Sequence, residues 1–332
     1  MSRSGAAHAA ALWVTGPGTA EIRAETLPAL APGQLGARAL YSGISRGTER
    51  LVWRGQVPAS ERERMRCPHQ AGDFPWPVKY GYSWVGETDE GQRVFCLHPH
   101  QDRIHVAREA LQPIPAGVPA RRAVLAANME TALNAIWDAR ATAGQSIRVI
   151  GGGVVGMLVA YLAARLPGAE VQLVDRQADR GPVAARLGVP FALPAAATPA
   201  ADLVLHASGH ADGLELALSL AGEEATLVEL SWYGERPVAV PLGHAFHPRR
   251  LRLLSSQVGT VAPCQRPRWD AGRRLRLALE LLADPALEAL LEPDIDFHAL
   301  PAMAALFAGH GGTPVVAYPP PGEAAARGGL NR

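Results

Sequence analysis

SIRVIGGGVVGMLVAYLAARLPGAEVQLVD, residues Ser146–Asp175, decides the fold. An apolar run (Ile147, Val149, Ile150) leads directly into Gly151, Gly153 and Gly156, and Met157–Leu166 continues as an unbroken helical pattern up to Pro167. The order is strand, glycine turn, helix. A second apolar strand, Val171–Val174, ends on Asp175, 19 positions beyond Gly156. That is close to the roughly 20-residue offset of an acid that binds an adenosine ribose in a dinucleotide-binding βαβ unit.

Each residue type has a physical task in such a unit. Gly151 permits the sharp turn, Gly153 has no Cβ and lets backbone N–H groups approach a pyrophosphate, and Gly156 lets the helix pack close to the strand. The helix N-terminus, at Val154 and Val155, presents free N–H donors and the positive end of the helix dipole. Asp175 would accept hydrogen bonds from the ribose hydroxyls and repel a 2′-phosphate, so NAD(H) is expected over NADP(H). Arg176 and Arg180 leave the alternative open, because a guanidinium there could accommodate a phosphate or simply be solvated. His206, Ala207, Ser208 and Gly209 end a later strand of the same series, at the expected cofactor edge.

The bulk numbers fit a globular protein. The 332 residues are 48% apolar and 19% charged, enough for two domains with substantial cores. A formal net charge of +1, with arginines scattered along the chain, excludes the electrostatic footprint of a nucleic-acid binder. Three cysteines, Cys67, Cys96 and Cys264, supply neither a disulfide framework nor a four-cysteine zinc lobe. The Ala-rich N-terminus is interrupted by His8 and does not read as a signal peptide, and no apolar run is long enough to span a bilayer. A cytoplasmic protein is expected, with no membrane or nucleic-acid partner.

The patterning changes along the chain. Up to Pro119, short alternating runs separated by Gly and Pro suggest strands at Leu12–Val14, Ala20–Ala24, Leu35–Ser42, Tyr82–Thr88 and Arg93–Leu97. Residues 59–77 read as a surface excursion. Arg121–Ala139 reads as one or two helices, after which strands and helices alternate through Pro182–Leu187, Leu203–Ala207, Leu214–Leu220 and Thr226–Leu230. Such a series predicts an α/β fold with a doubly wound parallel sheet. Asp270–Leu282 reads as an amphipathic helix continued by Leu287–Leu291, Thr313–Tyr318 as a closing strand, and 319–332 as a disordered tail. The expected division is 1–119, 120–265 and 266–318, with the last part completing the first domain.

The local signatures carry a resemblance. YSGISRGTE (Tyr41–Glu49) resembles the SGICGTD segment of the medium-chain dehydrogenase/reductase superfamily, KYGYSWVGE (Lys79–Glu87) its GHExxG segment, and VDRQADRGPVAARLGV (Val174–Val189) its second strand and helix. Within that superfamily the SGIS and GTE residues are similar to the subgroup containing bacteriochlorophyllide a dehydrogenase. The resemblance implies a Rossmann domain beside a β-rich GroES-like domain, hydride transfer between nicotinamide and substrate in the cleft between them, and a homodimer.

The departures bear on mechanism. Zinc-using members hold a catalytic Zn²⁺ through a cysteine, a histidine and a further ligand. The cysteine's place here falls on Ser45 or Arg46, the His-Glu pair becomes Tyr82-Ser83, and Glu130 alone stands where a relative might supply a ligand. An open catalytic zinc site needs three good protein ligands, so no catalytic or structural zinc is expected. The Cys67 and His69 loop pair lacks a partner. A zinc-free site must polarise a carbonyl with hydrogen-bond donors. Tyr82, where the zinc histidine would stand, either donates that proton or fills the vacated space; Thr48 and Ser45 are the accompanying hydroxyls, and Glu49 is expected as a structural partner for an arginine. The resemblance further implies Arg46 at the pyrophosphate, Thr131 facing the nicotinamide and Ser231 with Trp232 at its carboxamide.

The expected activity is interconversion of an alcohol and a carbonyl with NAD(P)(H) on a small-molecule substrate. Trp53, Phe74, Trp76 and Trp84 suggest an apolar or bulky one. A zinc-free reductase of an activated C=C bond and a dinucleotide-binding sensor or scaffold without turnover are the alternatives.

Overall fold

A computed structural model describes residues 7–303, 306 and 311–319; the expected tail, beyond Pro319, lies outside them. In chain order the strands are β1 (Ala7–Gly16), β2 (Thr19–Leu27), β3 (Gln34–Gly43), β4 (Ala71–Gly72), β5 (Val78–Lys79), β6 (Trp84–Thr88), β7 (Arg93–Cys96), β8 (Arg103–Ala107), β9 (Gln112–Pro113), β10 (Ser146–Ile150), β11 (Glu170–Val174), β12 (Phe191–Ala192), β13 (Ala201–His206), β14 (Ala221–Glu229), β15 (Arg252–Ser255), β16 (Leu291–Asp296) and β17 (Thr313–Ala317). The α-helices are α1 (Thr48–Trp53), α2 (Ala120–Ala123), α3 (Ala126–Asp138), α4 (Val154–Ala163), α5 (Gly181–Arg186), α6 (Ala211–Leu220) and α7 (Ala271–Leu281).

The chain falls into two compact units, Met1–Ala127 with Leu291–Arg332, and Asn128–Leu290. The first contains a four-stranded sheet ordered β2-β1-β5-β4 and a seven-stranded sheet ordered β16-β17-β3-β6-β7-β9, with β8 also pairing β3. β1 is buried on both faces, with Ala9 and Ala11 on one side and Leu12 and Val14 on the other. Trp84, Phe95 and Ile104 are fully buried, each stabilising the core by about 2 kcal/mol. The return strand β17 has four of its five residues buried and lies between β16 and β3.

The second unit is a six-stranded parallel sheet in the order β12-β11-β10-β13-β14-β15. β10 and β13 are buried almost throughout, without alternation, because both faces of a parallel sheet are covered. Strand order reverses between β10 and β13, which makes the carboxyl ends of these two strands the ligand-binding edge of an open α/β sheet.

Local signals correspond to the elements where they are strong and miss elsewhere. The region 121–139 forms two helices, α2 and α3. The expected strand at Tyr82 begins at Trp84, leaving Tyr82 in a loop. Residues 285–290 form a 3-10 helix rather than continuing α7, and the polar strand β16 follows. The excursion at 59–77 does not stay on the surface, for Cys67 and Phe74 join the core of the first unit. The units divide at 127/128 and 290/291, where 119/120 and 265/266 were expected; at the second boundary α7 stays with the second unit, to which a buried ion pair between Arg274 and Glu130 ties it. No helix among the described residues is long and apolar enough to cross a membrane.

Candidate functional site

The glycine turn of the second unit links β10 to α4. Gly151 has φ of 109°, where side chains are strained, and a Cβ there would lie 2.7 Å from the Ser208 nitrogen. A Cβ on Gly156 would collide with the Gly151 carbonyl oxygen, whereas one on Gly153 would meet nothing within 4 Å. Close packing on one side and open space on the other is the shape a pyrophosphate requires. The N–H groups of Val154, Val155 and Gly156 precede the first intrahelical bond, Met157 N–H to Gly153 O at 2.8 Å, and no side chain caps the helix. They remain available to an anion.

Asp175 stands at the same turn. Its Oδ2 accepts the Gly152 N–H at 2.6 Å and its Oδ1 the Gln177 N–H at 2.8 Å. Each carboxylate oxygen keeps a second lone pair, enough to receive two ribose hydroxyls. Arg180 donates to Gln177 Oε1 at 2.9 and 3.1 Å and packs its stem toward Gly152, and Arg176 is exposed.

The carboxyl end of β13 holds a polar chain not foreseen from sequence. His206 is fully buried, with Nε2 2.6 Å from Ser208 Oγ and Nδ1 2.7 Å from Glu229 Oε2. Tyr233 donates to the same Glu229 oxygen at 3.1 Å, and Ser231 N–H donates to Oε1 at 2.7 Å. Ser231 Oγ in turn accepts the Gly209 N–H at 3.0 Å. Ser208 and Ser231 thus brace the loops at the sheet edge, while Trp232 is 42% exposed.

Glu130 has a different task from the expected one. Arg274 donates to it at 3.0 Å and to Asn134 Oδ1 at 2.5 Å, with both charged side chains buried. Burial raises the Glu130 carboxyl while Arg274 pulls it down. A carboxylate committed to a buried guanidinium holds helices together and is poorly placed to ligate or catalyse. Thr131, one position on in α3, is half-buried.

In the first unit the structure gathers Ser45, Thr48 and Tyr82. Burial and the Glu49 charge push the Tyr82 phenol up to about 12, against hydrogen bonds from Ser45 and Thr48. Behind them runs a buried chain. Ser45 N–H donates to Glu49 Oε1 at 2.8 Å, Glu49 Oε2 lies 2.9 Å from His100 Nε2, His100 Nδ1 lies 2.7 Å from Ser42 Oγ, and Ser42 Oγ lies 3.0 Å from the Tyr318 hydroxyl. Glu49 therefore partners a histidine rather than an arginine.

Arg46 is likewise committed inside this unit. It forms a bidentate pair with Glu292, at 2.7 Å through Nη2, and donates to the carbonyls of Leu306 and Gly312. Four of its five N–H donors are occupied, which corrects the expectation that it reaches a pyrophosphate. Cys67 is buried with its thiol pushed up to about 12, and His69 stacks on His98 with centroids 5.0 Å apart. Burial holds His98 near 3. Among the described residues no three or more His, Cys, Asp or Glu side chains group to hold a metal ion.

No protein-family model matches the chain. It is 24% identical over 297 residues to D-guloside 3-dehydrogenase of Escherichia coli K12, covering 78% of this chain and 85% of that one. Among solved structures, L-idonate 5-dehydrogenase of E. coli K-12 aligns over 94% of this chain and 98% of its own with a TM-score of 0.77 at 14% identity. An alcohol dehydrogenase of E. coli CFT073 in complex with NADH aligns over 94% and 100% with a TM-score of 0.74 at 16% identity. The chain shares the fold of these dehydrogenases.

The Gly151–Asp175 unit is contiguous, whereas Glu49, His100, Ser42 and Tyr318 meet only through sheet topology. The aromatics that suggested an apolar substrate are a correction, since Trp53, Phe74 and Trp84 are buried in the core of the first unit and say nothing about a ligand.

Proposed function

We propose that the chain is a zinc-independent, NAD(P)(H)-dependent oxidoreductase that interconverts an alcohol and a carbonyl, with NAD(H) preferred. The observation that carries this reading is the glycine turn, open at Gly153 and bonded to the Asp175 carboxylate through Gly152. When bound, the dinucleotide supplies or accepts the hydride. Val154, Val155 and Gly156 would hold its pyrophosphate and Asp175 its ribose, with Thr131, Ser208 and Ser231 nearby and Arg176 or Arg180 tuning tolerance of a 2′-phosphate. Tyr82 would exchange the proton with the substrate oxygen, assisted by Ser45 and Thr48.

The donors around Tyr82 suit proton handling better than zinc. A phenol at about 12 and a thiol at about 12 are poor ligands at neutral pH, and Glu49 already accepts from His100. The names of the relatives point to a hydroxyl on a sugar-derived skeleton, and that is the proposed substrate class. On its sparse, scattered cysteines the protein is read as cytoplasmic, on the superfamily resemblance as a homodimer, and on the SGIS and GTE residues as kin to the bacteriochlorophyllide a dehydrogenase subgroup.

The test is titration with NADH and NADPH, followed by turnover on panels of aldonates, glycosides, simple ketones and enones, with metal analysis of the pure protein. NADH binding with oxidation of a sugar-derived alcohol is the expected result. Turnover on enones alone would favour a C=C reductase, binding without turnover a sensor, and no binding of either dinucleotide would remove the reading. Stoichiometric zinc would remove the role given to Tyr82.

A further inference from the structure

The buried chain behind Tyr82 has a direction. The Tyr318 hydroxyl lies in the interior 3.0 Å from Ser42 Oγ, so its hydrogen points at that oxygen. Ser42 then gives its own hydrogen to His100 Nδ1 at 2.7 Å. That leaves the imidazole hydrogen on Nε2, donated to Glu49 Oε2 at 2.9 Å. A neutral imidazole and a carboxylate anion satisfy every group in this order. A doubly protonated His100 would turn Ser42 toward Tyr318 and leave the Tyr318 hydrogen without an acceptor in the interior, which is costly.

Among the described residues the inner members of this chain are shut off from solvent. Ser42 and His100 are each 1% exposed, and Tyr318 stacks on Phe297 with centroids 4.6 Å apart. It holds a charge in place and does not conduct protons to solvent. Resting on the reading of Tyr82 as the proton donor, we propose that His100, locked by Ser42 and Tyr318, fixes Glu49 as an anion beside the Tyr82 phenol, and that Glu49 and His100 are positioning residues which set when that phenol releases its proton. In carbonyl reduction the Tyr82 O–H bond breaks, the proton joins the substrate oxygen, and solvent restores the phenol.

The other titratable groups facing this corner do not supply the same charge. Cys67 and Tyr80 are raised by burial and stay protonated, and His98, beside His100, is held neutral by burial. Tyr318, which feels both Asp102 and Glu49, is raised as well. Arg46 is paired with Glu292, and Arg50 on α1 donates to the Arg46 carbonyl at 3.2 Å. After burial, the Glu49 charge is the next cause that raises Tyr82, and Glu49 is held at this corner by the Ser45 N–H and His100.

The experiment follows tyrosinate ultraviolet absorbance with pH in the full chain, using Tyr82→Phe to assign the Tyr82 component, beside the pH profile of kcat/KM for carbonyl reduction. Glu49→Gln should lower the Tyr82 midpoint by about one unit or more and move the alkaline limb of the profile with it, and Glu49→Asp should restore much of both. Ser42→Ala, a small deletion suited to the case in which Glu49→Gln does not fold, should shift the midpoint in the same direction by less. Unchanged Tyr82 titration in both Glu49→Gln and Ser42→Ala overturns the proposal. A midpoint that falls while the kcat/KM limb stays put sustains the charge coupling and instead removes Tyr82 as the proton donor.

Discussion

Each unit of the molecule contains a serine, a histidine and a glutamate in a hydrogen-bonded row, Ser42–His100–Glu49 in the first and Ser208–His206–Glu229 in the second. In both the imidazole is buried and touches oxygens on both sides. They differ in what lies at the ends. The row in the first unit ends in the interior at Tyr318 and presents its carboxylate beside Tyr82, so its output is a fixed charge. The row in the second has its serine half-buried beside the glycine turn and its glutamate bonded to the Tyr233 hydroxyl and the Ser231 N–H, so its output is the position of two loops. The same three side chains thus serve electrostatics in one place and loop placement in the other, according to which end is enclosed.

The sharpest break of this contrast is Tyr82→Phe. With only the phenol oxygen removed, kcat/KM should fall about a thousandfold while the dissociation constant for NADH, read by its fluorescence, stays within twofold of wild type, about 0.4 kcal/mol. Equal losses in both would mean that Tyr82 packs and does not react. Next comes Gly156→Ala, whose Cβ would meet the Gly151 carbonyl oxygen. It should destabilise the second unit by about 3 kcal/mol and abolish NADH binding, seen as a lowered calorimetric transition. Wild-type affinity in that variant would show that the turn is not a dinucleotide seat.

Replacing His206 by alanine should cost about 2 kcal/mol by denaturant titration, less than loss of a whole buried ion pair because Tyr233 and Ser231 still donate to Glu229. A cost near zero would make this row ornamental. The last test is a pH dependence centred on His98. Burial lowers its pKa from the ordinary 6.5 to about 3, so the unfolded chain binds the proton more readily. The stability due to neutral His98 is present above about 6.5 and declines as pH falls toward 3, by about 1.4 kcal/mol for each unit. Urea midpoints measured between pH 7 and 5 should show that slope in wild type and a shallower one in His98→Gln.

What could be read from sequence followed from how far apart the residues lie in the chain. Gly151, Gly156 and Asp175 sit within one βαβ stretch, so spacing alone locates their site. His100 and Glu49 are 51 positions apart, and Ser42 and Tyr318 are 276 apart; only strand order brings them together, and no local pattern encodes it. Glu130 and Arg46 sit on segments that the resemblance places at the active site, and each meets a distant opposite charge, Arg274 or Glu292, that local sequence does not announce. The strand β16 escaped notice because LEPDID lacks the apolar alternation of a half-buried strand.

Strand β17 sits beside β3, and the Glu292 carboxylate clasps Arg46 across 246 positions. During ribosomal synthesis the second unit, being one uninterrupted stretch, can close while the C-terminal residues are still being made. The first unit must wait, its sheet gapped, until Thr313–Ala317 emerges, so residues 7–127 mature after the 128–290 stretch that follows them in the chain.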